Sequence, residues 1–398
     1  MDMIKSIHLY NFFSFASQTI KFDGLNVLVG INGSGKSNLI KALQLLKAVI
    51  TDGEISEMII NRWGGLDAVH YLGDEEPDFK VGLEFEFDPA VLSQYGYRFQ
   101  EPVSYYIVFH KMASSQNYYI DESFHTKKED RIDYIFMEMN HGKGFVRNIL
   151  SNNQETVTYE LDNASESVLC QLVDKDRYYQ IYTLREAIKD IVIYDGFDTN
   201  SSSAMRKPVP PGVSNRLLPD GSNLPLVLNS IKLNDKNNYM AIIDALNAVN
   251  PNFNGFDFNF LGSSIELLLD EKGLNKSVHV THVSDGTLRY LCLLAIIFNK
   301  RRGKLICIDE PEIGLHPDMI GELMLALTQT VENTQYVVST HSDHILNQVS
   351  VENIIALEKD VDNKSYVNCF KNQEFVEWAS QYSAGSLWRN GNLGGNRY

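Results

Sequence analysis

Two acidic side chains end one strongly apolar segment of this sequence. In LICIDEPEIGLHP, residues 305–317, Asp309 and Glu310 directly follow a run rich in Ile and Leu. Such a run predicts a strand buried on both faces, as in parallel sheets covered by helices, and ligands bind at the carboxyl ends of those strands. Burying two unpaired carboxylates costs several kcal/mol, so a cation, a proton or a reacting group must lie nearby. Taken alone, the pair has a simpler explanation, in which Asp309 caps the next helix and Glu310 is solvated.

A glycine-rich segment supplies a ligand that explains those carboxylates. GINGSGKS, residues 30–37, matches the pattern G-x-x-x-x-G-K-[ST] in full and lies between a predicted strand and a predicted helix. Backbone N–H groups of such a loop wrap phosphates, Lys36 reaches the β- and γ-phosphates, and the Ser37 hydroxyl can bind Mg²⁺. The predicted nucleotide-binding residues here are Gly30, Asn32, Gly33, Ser34, Gly35, Lys36, Ser37 and Asn38.

With ATP at the glycine-rich loop, the acidic pair has a chemical task. Asp309 is expected to hold Mg²⁺ directly or through water, and Glu310 to polarise the water that attacks the γ-phosphate. A glutamate directly after the metal-holding aspartate favours hydrolysis over phosphoryl transfer to a second substrate. Lys36 and Glu310 are therefore catalytic candidates, and Ser37 and Asp309 are metal-binding candidates.

A histidine follows another apolar strand. YVVSTHSDHIL ends its apolar run in Thr340 and His341, so the imidazole should reach the same sheet edge as Glu310 and hydrogen-bond the γ-phosphate. His341 is thus a third catalytic candidate, whereas His344 is expected to face outward from the following helix. A lone histidine is more often an ordinary core or surface residue, and its position after this strand favours the functional interpretation.

A further polar segment opens a very apolar helix. HVSDGTLRYLCLLAIIF places Ser284, Asp285 and Gly286 at the N-terminus of that helix. An ordinary helix cap is the alternative, although capping and nucleotide binding can coexist. The segment belongs to a different layer from the glycine-rich loop, so we expect it to face nucleotide on a second subunit.

Composition narrows the class of protein. The chain has 398 residues and 44% hydrophobic residues, enough for one large α/β domain with an insertion or for two domains. The longest strongly apolar stretch, residues 288–298, is too short to span a bilayer, and the N-terminus lacks a signal-peptide pattern, so we expect a soluble, cytoplasmic protein without membrane contact.

The net charge of −16 disfavours passive coating of nucleic acid, although a basic patch at 299–304 leaves DNA contact open. Four widely spaced cysteines suggest reduced core residues rather than disulfides or a metal site.

The order of predicted elements indicates a core assembled from two distant halves. Strands lead into the glycine-rich loop, and from about residue 76 short aromatic-rich segments predict an antiparallel extension, followed by helical segments near 165–192 and 222–249. After residue 260, the strand SIELLLD and two later strands alternate with helices, which predicts a doubly wound, mainly parallel sheet. The predicted division is 1–75 (first half of the core), 76–260 (β-rich then helical insertion), 261–370 (second half of the core) and 371–398 (tail).

Together these segments resemble the ABC-type ATPases of the SMC/RecF branch, particularly small bacterial AAA family ATPases related to those of the OLD and anti-phage defence systems. The matching segments are NFFSF (11–15), GINGSGKSN (30–38), VSDGTLR (283–289), CIDEPEIGLHP (307–317) and STHS (339–342). Their order and spacing agree with that family over roughly residues 1–70 and 260–370. The resemblance implies an α/β P-loop NTPase fold of the ABC-type head class.

In that family two heads enclose two ATP molecules, so the resemblance implies a homodimer or a higher even-numbered homo-oligomer. Ser284, Asp285 and Gly286 would then lie at the nucleotide of the other copy. It also implies a role in DNA-linked genome maintenance or phage defence, with a separate effector protein such as a nuclease. Two departures are visible: Asp285 stands where a second glycine is common, and residues 61–65 occupy the place of the Q-loop without a glutamine.

Two other functions remain open from the sequence. An ATP-gated scaffold would bind nucleotide, turn over little and hold its effector inactive. A transporter ATPase subunit carries similar motifs, but it would normally have a fuller LSGGQ segment and a Q-loop, without a β-rich insertion.

Overall fold

The computed structural model describes residues 2–73, 79–112, 117–128, 131–150 and 153–394. Its strands are β1 (Ile4–Phe12), β2 (Phe15–Lys21), β3 (Leu25–Val29), β4 (Lys80–Phe87), β5 (Val103–Lys111), β6 (Tyr118–Lys128), β7 (Arg131–Asn140), β8 (Lys143–Leu150), β9 (Asn153–Glu160), β10 (Ile191–Tyr194), β11 (Phe253–Leu261), β12 (Ser264–Glu271), β13 (Val278–His279), β14 (Leu305–Asp309), β15 (Gln335–Thr340), β16 (Ile354–Lys359) and β17 (Ser365–Cys369). Its α-helices are α1 (Lys36–Ala48), α2 (Glu54–Ser56), α3 (Leu66–Val69), α4 (Pro89–Leu92), α5 (Val168–Gln171), α6 (Tyr179–Lys189), α7 (Leu224–Asn234), α8 (Lys236–Val249), α9 (Asp285–Ile297), α10 (Pro317–Thr330), α11 (Asp343–Leu346), α12 (Gln373–Ala379) and α13 (Ala384–Arg389).

A six-stranded sheet forms the centre of the molecule, in the order β10-β14-β15-β3-β16-β17. The first five strands are parallel, and β17 runs antiparallel at the edge. The doubly wound, mainly parallel core predicted from the sequence is confirmed. Because parallel strands point the same way, β14, β15 and β3 deliver the residues that follow them to one edge of the sheet.

Both faces of the central sheet are covered, which explains its continuous apolar strands. In β14, Leu305 and Cys307 face a core that includes α1, α6 and a second sheet, whereas Ile306 and Ile308 face a core built with α7 to α10. All five residues of β3 are buried. Strands of this kind have no solvent face, so their polar side chains appear only where the strand ends.

The second sheet is antiparallel and has eight strands, in the order β2-β1-β4-β5-β6-β7-β8-β9. The antiparallel extension expected from the aromatic-rich segments is present, and β1 and β2 from the N-terminal segment belong to the same sheet. In β4, Val81, Leu83 and Phe85 are fully buried, while Glu84 and Glu86 alternate with them. That alternation is typical of a sheet with one face on the core and the other toward solvent.

One carboxyl group lies deep inside this extension. Glu122 on β6 is 3% exposed, and its Oε1 accepts hydrogen bonds from the Tyr105 hydroxyl and from Ser167 Oγ, the latter at 2.6 Å. Its Oε2 accepts the Val168 backbone N–H at 2.7 Å, which ties the start of α5 to the sheet. Burial raises the pKa of Glu122.

Two expectations about individual elements were wrong. SIELLLD, expected in the parallel core, is β12 in a separate three-stranded antiparallel sheet, β11-β12-β13. Its burial alternates, with Ile265, Leu267 and Leu269 inside, as a one-sided antiparallel strand requires. The end of the segment 165–192, expected to be helical, instead begins β10, which pairs with β14 in the central sheet.

The N-terminal and C-terminal parts of the chain are joined by a buried amide. Gln335 is fully buried, and its Oε1 accepts the backbone N–H groups of Met3 at 3.0 Å and Ile4 at 2.9 Å. Its Nε2 donates to Ile4 O at 2.8 Å and Asp23 O at 3.1 Å. This side chain therefore fixes the start of β1 and the turn before β3 to the start of β15.

The structure bears on two features considered from composition: membrane-spanning helices and the cysteines. Among the described residues, no helix combines the length and apolar character needed to cross a lipid bilayer. Cys292 and Cys307 are buried free thiols, as expected, but Cys369 is exposed and is not a core residue.

Candidate functional site

The glycine-rich loop lies between β3 and α1, as its motif requires. Lys36 is 7% exposed, and its Nζ donates to the carbonyl oxygens of Gly30 at 2.7 Å and Ile31 at 3.4 Å. The loop therefore folds around the ammonium group of its own lysine. Asn32, Gly33 and Ser37 are exposed at the loop and at the first turn of α1, where backbone N–H groups without helical partners favour an anion.

The other side of this loop rests on the NFFSF segment and on β17. Ser365 Oγ donates to the Ser34 carbonyl at 2.7 Å and is hydrogen-bonded to Ser14 Oγ, also at 2.7 Å. Asn38 Nδ2 donates to the same Ser14 Oγ at 2.9 Å. Gly35 has a φ of 115°, and a Cβ atom there would lie 2.7 Å from Ser365 Oγ. A side chain at this position is excluded by both backbone conformation and space, so the loop geometry depends on glycine.

The acidic pair lies at the carboxyl end of β14, two strands away from β3. Asp309 Oδ1 accepts a hydrogen bond from Ser339 Oγ on the neighbouring β15. Glu310 has a φ of 45°, a left-handed conformation that costs a non-glycine residue about 1–3 kcal/mol. Its N–H donates to Ser339 O at 3.1 Å, and this bond holds the turn.

The predicted histidine meets Glu310 at this edge. His341 Nε2 lies 3.4 Å from Glu310 Oε1, and both side chains are partly exposed. His344, three residues on, is exposed. The structure therefore brings His341, rather than His344, to the acidic pair.

A carboxylate that was not among the candidates holds this histidine segment. Glu312 Oε1 accepts the Thr340 hydroxyl at 2.6 Å and the His341 backbone N–H at 3.0 Å. Its Oε2 is buried without a hydrogen-bond partner among the described residues. Glu312 follows Glu310 by only two positions, but the bond that makes it important joins residues 28 apart in the chain.

Electrostatics link these side chains into one group. Burial lowers the pKa of the Lys36 ammonium, and nearby negative charges oppose the shift. Those charges belong to Glu310, Asp309 and Glu312. Burial, followed by the positive charge of Lys36, also lowers the pKa of His341, so its imidazole is neutral at pH 7.

The donor set at this edge fits a hard divalent cation. The exposed Ser37 hydroxyl and the Asp309 carboxylate offer oxygen ligands, which Mg²⁺ prefers in phosphate sites. Three carboxylates surround the single charge of Lys36, so the group carries surplus negative charge. A divalent cation at Ser37 and Asp309 is therefore compatible with the residues present.

Another acidic residue, not found from the sequence, directly follows β10. Tyr194 on β10 pairs with Ile308 on β14, so Asp195 follows at the same sheet edge as Asp309. Gln44 Nε2 donates to Asp195 Oδ2 at 2.9 Å. Partial burial and the charge of Asp309 raise the pKa of Asp195. Asp195 and Asp309 line one cleft of about 330 Å³.

The signature segment, residues 283–289, has partners other than the Lys36 group. Ser284 caps α9, with its Oγ accepting the Thr287 N–H at 3.2 Å, and it is exposed. Gly286 lies against the turn that follows β14, where a Cβ atom would come within 2.7 Å of the Gly314 carbonyl oxygen. Asp285 forms an ion pair with Arg206 from the long loop after β10. The exposed end of α9 thus stands beside the turn that follows Glu310.

The fold and this site together define a P-loop NTPase head of the ABC type. The chain belongs to the family described as "AAA domain, putative AbiEii toxin, Type IV TA system", whose model matches residues 25–347.

A curated relative extends this assignment. The chain is 21% identical over 406 aligned positions to the protein named Retron Ec83 probable ATPase, from Escherichia coli. The alignment covers 89% of this chain and 71% of that relative. The resemblance to SMC/RecF-like ATPases of anti-phage systems, drawn from the motifs, is confirmed at the family level.

Solved structures agree on the fold. One is an Smc head bound to the C-winged helix domain of ScpA, with a TM-score of 0.58, 12% identity and coverage of 92% of this chain and 98% of that chain. Another is an Smc head domain with an extended coiled coil, bound to the C-terminal domain of ScpA derived from Pyrococcus furiosus, with a TM-score of 0.58, 11% identity and coverage of 96% and 99%. At these identities the likeness establishes the fold alone.

Proposed function

We propose that this protein hydrolyses ATP in a Mg²⁺-dependent reaction at the edge formed by β3, β14 and β15. The observation that carries the proposal is the meeting of Lys36, Glu310 and His341, which lie in the segments that follow three adjacent strands. Each residue type has a task in phosphoryl transfer to water.

The proposed division of labour starts with phosphate binding. Lys36 exchanges its bonds to the Gly30 and Ile31 carbonyls for the β- and γ-phosphate oxygens. Ser37 and Asp309 would hold Mg²⁺, which neutralises phosphate charge when bound. Glycines and backbone N–H groups of residues 30–35 surround the remaining phosphate oxygens.

Glu310 and His341 act on the water and on the γ-phosphate. Glu310 orients the attacking water and accepts its proton, because its carboxylate is partly exposed directly after β14 and lies 3.4 Å from His341. His341 is neutral at pH 7, so one ring nitrogen donates to a γ-phosphate oxygen without requiring prior protonation. Glu312 fixes the backbone from which the imidazole extends.

We further propose that the site is completed by a second copy of the chain. Ser284 and Gly286 are at the exposed N-terminus of α9, beside Gly314 in the turn that follows Glu310. In a two-fold arrangement, that end of one copy faces the phosphates bound by Lys36 of the other. The nucleotide state then controls whether two heads are held together, and this change is transmitted to an effector.

A complementation experiment tests the shared site. Ser284→Arg places a bulky cation where the γ-phosphate of the other copy must dock, and Lys36→Ala disables the opposite half of the same composite site. Neither variant alone should hydrolyse ATP. After mixing, each heterodimer has one site with both lesions and one with neither, so hydrolysis should recover to a fraction of the wild-type rate.

The outcomes separate the two halves of the proposal. Full activity of Ser284→Arg at every protein concentration excludes a composite site while leaving hydrolysis in place. Wild-type protein that retains ATP tightly without releasing phosphate instead favours the ATP-gated scaffold. Both variants should first be shown to unfold cooperatively; Ser284→Arg removes the side-chain cap of α9, so a modest fall in its thermal unfolding midpoint is expected.

We propose a role in phage defence together with a separate effector such as a nuclease. The motif resemblance to anti-phage ATPases and the relative named as a retron ATPase support it. The test is phage plating on cells that carry the gene with its natural neighbours. Lys36→Ala should abolish any protection; equal protection by the variant would separate defence from nucleotide binding.

A further inference from the structure

One arginine reaches the N-terminus of α9 from a segment that the sequence describes only as a loop. Arg206 has a side chain that is 5% exposed, and its guanidinium donates to Thr199 O at 2.9 Å, Val280 O at 2.7 Å and Val283 O at 2.8 Å. Its fourth partner is the Asp285 carboxylate, at 2.5 Å. Such a buried guanidinium is retained only where its donors and its charge are satisfied.

The partner of Arg206 is much more accessible than Arg206 itself. The Asp285 side chain is 68% exposed at the first turn of α9. Within one chain, a carboxylate at a helix N-terminus is favourable, because it faces the positive end of the helix dipole. Against a triphosphate the same carboxylate is unfavourable, because like charges repel across the water-poor gap of an interface.

We propose that Arg206 is a positioning residue that makes the α9 N-terminus compatible with a triphosphate. It cancels the charge of Asp285 and fixes the turn at 280–283, so that Ser284 and Gly286 present a neutral, rigid surface. This inference rests on the proposed function, because the triphosphate is the one bound by a second copy. The ion pair with Arg206 therefore explains how an aspartate, Asp285, can occupy a position where a glycine is common.

A purely structural role for Arg206 makes a different prediction. If it only holds the carbonyl groups of Thr199, Val280 and Val283, removing its charge should lower stability whatever residue occupies position 285. If it also cancels a charge, the defect should depend on Asp285. A double-mutant cycle separates the two roles.

The cycle is measured as ATP-dependent dimerisation in the Glu310→Gln background, which is expected to retain ATP. The readout is the dimer dissociation constant from sedimentation velocity at saturating Mg²⁺-ATP. Arg206→Gln should weaken dimerisation about tenfold or more, which is the order of effect of one uncompensated charge facing a phosphate across a partly hydrated interface. Asp285→Asn should dimerise at least as tightly as the parent, and Arg206→Gln with Asp285→Asn should regain most of the loss.

Salt gives a second readout that structural damage does not imitate. Repulsion from an uncompensated Asp285 is screened by salt, so the Arg206→Gln defect should shrink between 0.05 and 0.5 M NaCl. The matched control is Arg216→Gln with Asp190→Asn, an ion pair anchored in the same loop. That cycle should leave dimerisation unchanged, while thermal unfolding reports any loss of stability.

The results distinguish failure of this inference from failure of the proposed function. If the Glu310→Gln parent does not dimerise with ATP, the shared site is wrong, and the inference about Arg206 is overturned with it. If the parent dimerises but the double variant is no better than Arg206→Gln, the charge role of Arg206 is refuted. Equal defects at both salt concentrations lead to the same conclusion.

Discussion

Glu312 provides the most direct test of how this site is built. Its Oε1 accepts two hydrogen bonds, from the Thr340 hydroxyl at 2.6 Å and from the His341 N–H at 3.0 Å. Hydrogen bonds to a charged group contribute about 1.5–3 kcal/mol each. Glu312→Ala removes both, so the peptide that carries the imidazole loses its fixed orientation, and we expect hydrolysis to fall by about 10- to 100-fold, or about 1.4–2.8 kcal/mol in the barrier.

Nucleotide binding should respond differently from hydrolysis. Glu312 is not expected to touch the phosphates, so the dissociation constant for a fluorescent ATP analogue should stay within about threefold of the wild type in Glu312→Ala. Glu312→Gln keeps an oxygen that can accept both bonds, and its hydrolysis should stay within about fivefold. Phosphate release under saturating Mg²⁺-ATP measures the rate, and Glu332→Ala, an exposed carboxylate after α10, is the control.

Two results would refute this reasoning. Wild-type hydrolysis by Glu312→Ala would mean that the orientation of His341 does not depend on these bonds. Equal loss in the Ala and Gln variants would instead assign the effect to the negative charge of Glu312 rather than to its hydrogen bonds.

Three further outcomes are expected. Glu310→Gln should bind ATP normally but hydrolyse it about 100-fold more slowly or worse, in single-turnover assays; normal turnover would exclude it as the base. His341→Ala should slow hydrolysis with little change in Mg²⁺-ATP affinity, whereas His344→Ala should be nearly silent, and the reverse order would assign the role to His344. Glu122→Gln should gain thermal stability relative to the wild type as pH rises from 5 to 8, because a carboxyl whose pKa is raised by burial stabilises the fold at low pH and loses that contribution as it ionises. A pH-independent difference would show that Glu122 has the same protonation state in the folded and the unfolded chain over this range, which would contradict a raised pKa in the folded protein.

Local patterns predicted the parts of the site that lie within one motif. The glycine-rich loop needs only a strand before it and a helix after it, and both are encoded within about 25 residues around Lys36. Asp309 and His341 were found because each ends a continuous apolar strand. The alternation of β4 and β5 likewise predicted their antiparallel sheet.

The parts that the sequence missed depend on distant partners. Arg206 sits in a loop rich in Pro and Ser, and its carboxylate partner is 79 residues away. The strand β10 lies between a helix and that loop and has only four residues. This length is too short for the two-residue period of a strand to be recognised in the sequence. SIELLLD was placed in the wrong sheet because a short apolar run does not reveal whether one face or both are covered.

The bridges between the ends of the chain have a consequence for biosynthesis. Strand β3 leaves the ribosome early, but its neighbour β15 is synthesised much later: the Asn26 side chain bonds the Tyr336 carbonyl across 310 residues. At about 5–20 residues per second, that neighbour arrives roughly 15 to 60 s afterwards. During this interval the glycine-rich loop and its lysine exist without the strand that separates them from Asp309. A nascent chain therefore cannot assemble the edge that carries the proposed site until translation has passed residue 341. Until then, an apolar strand that belongs at the centre of the sheet must be shielded from aggregation.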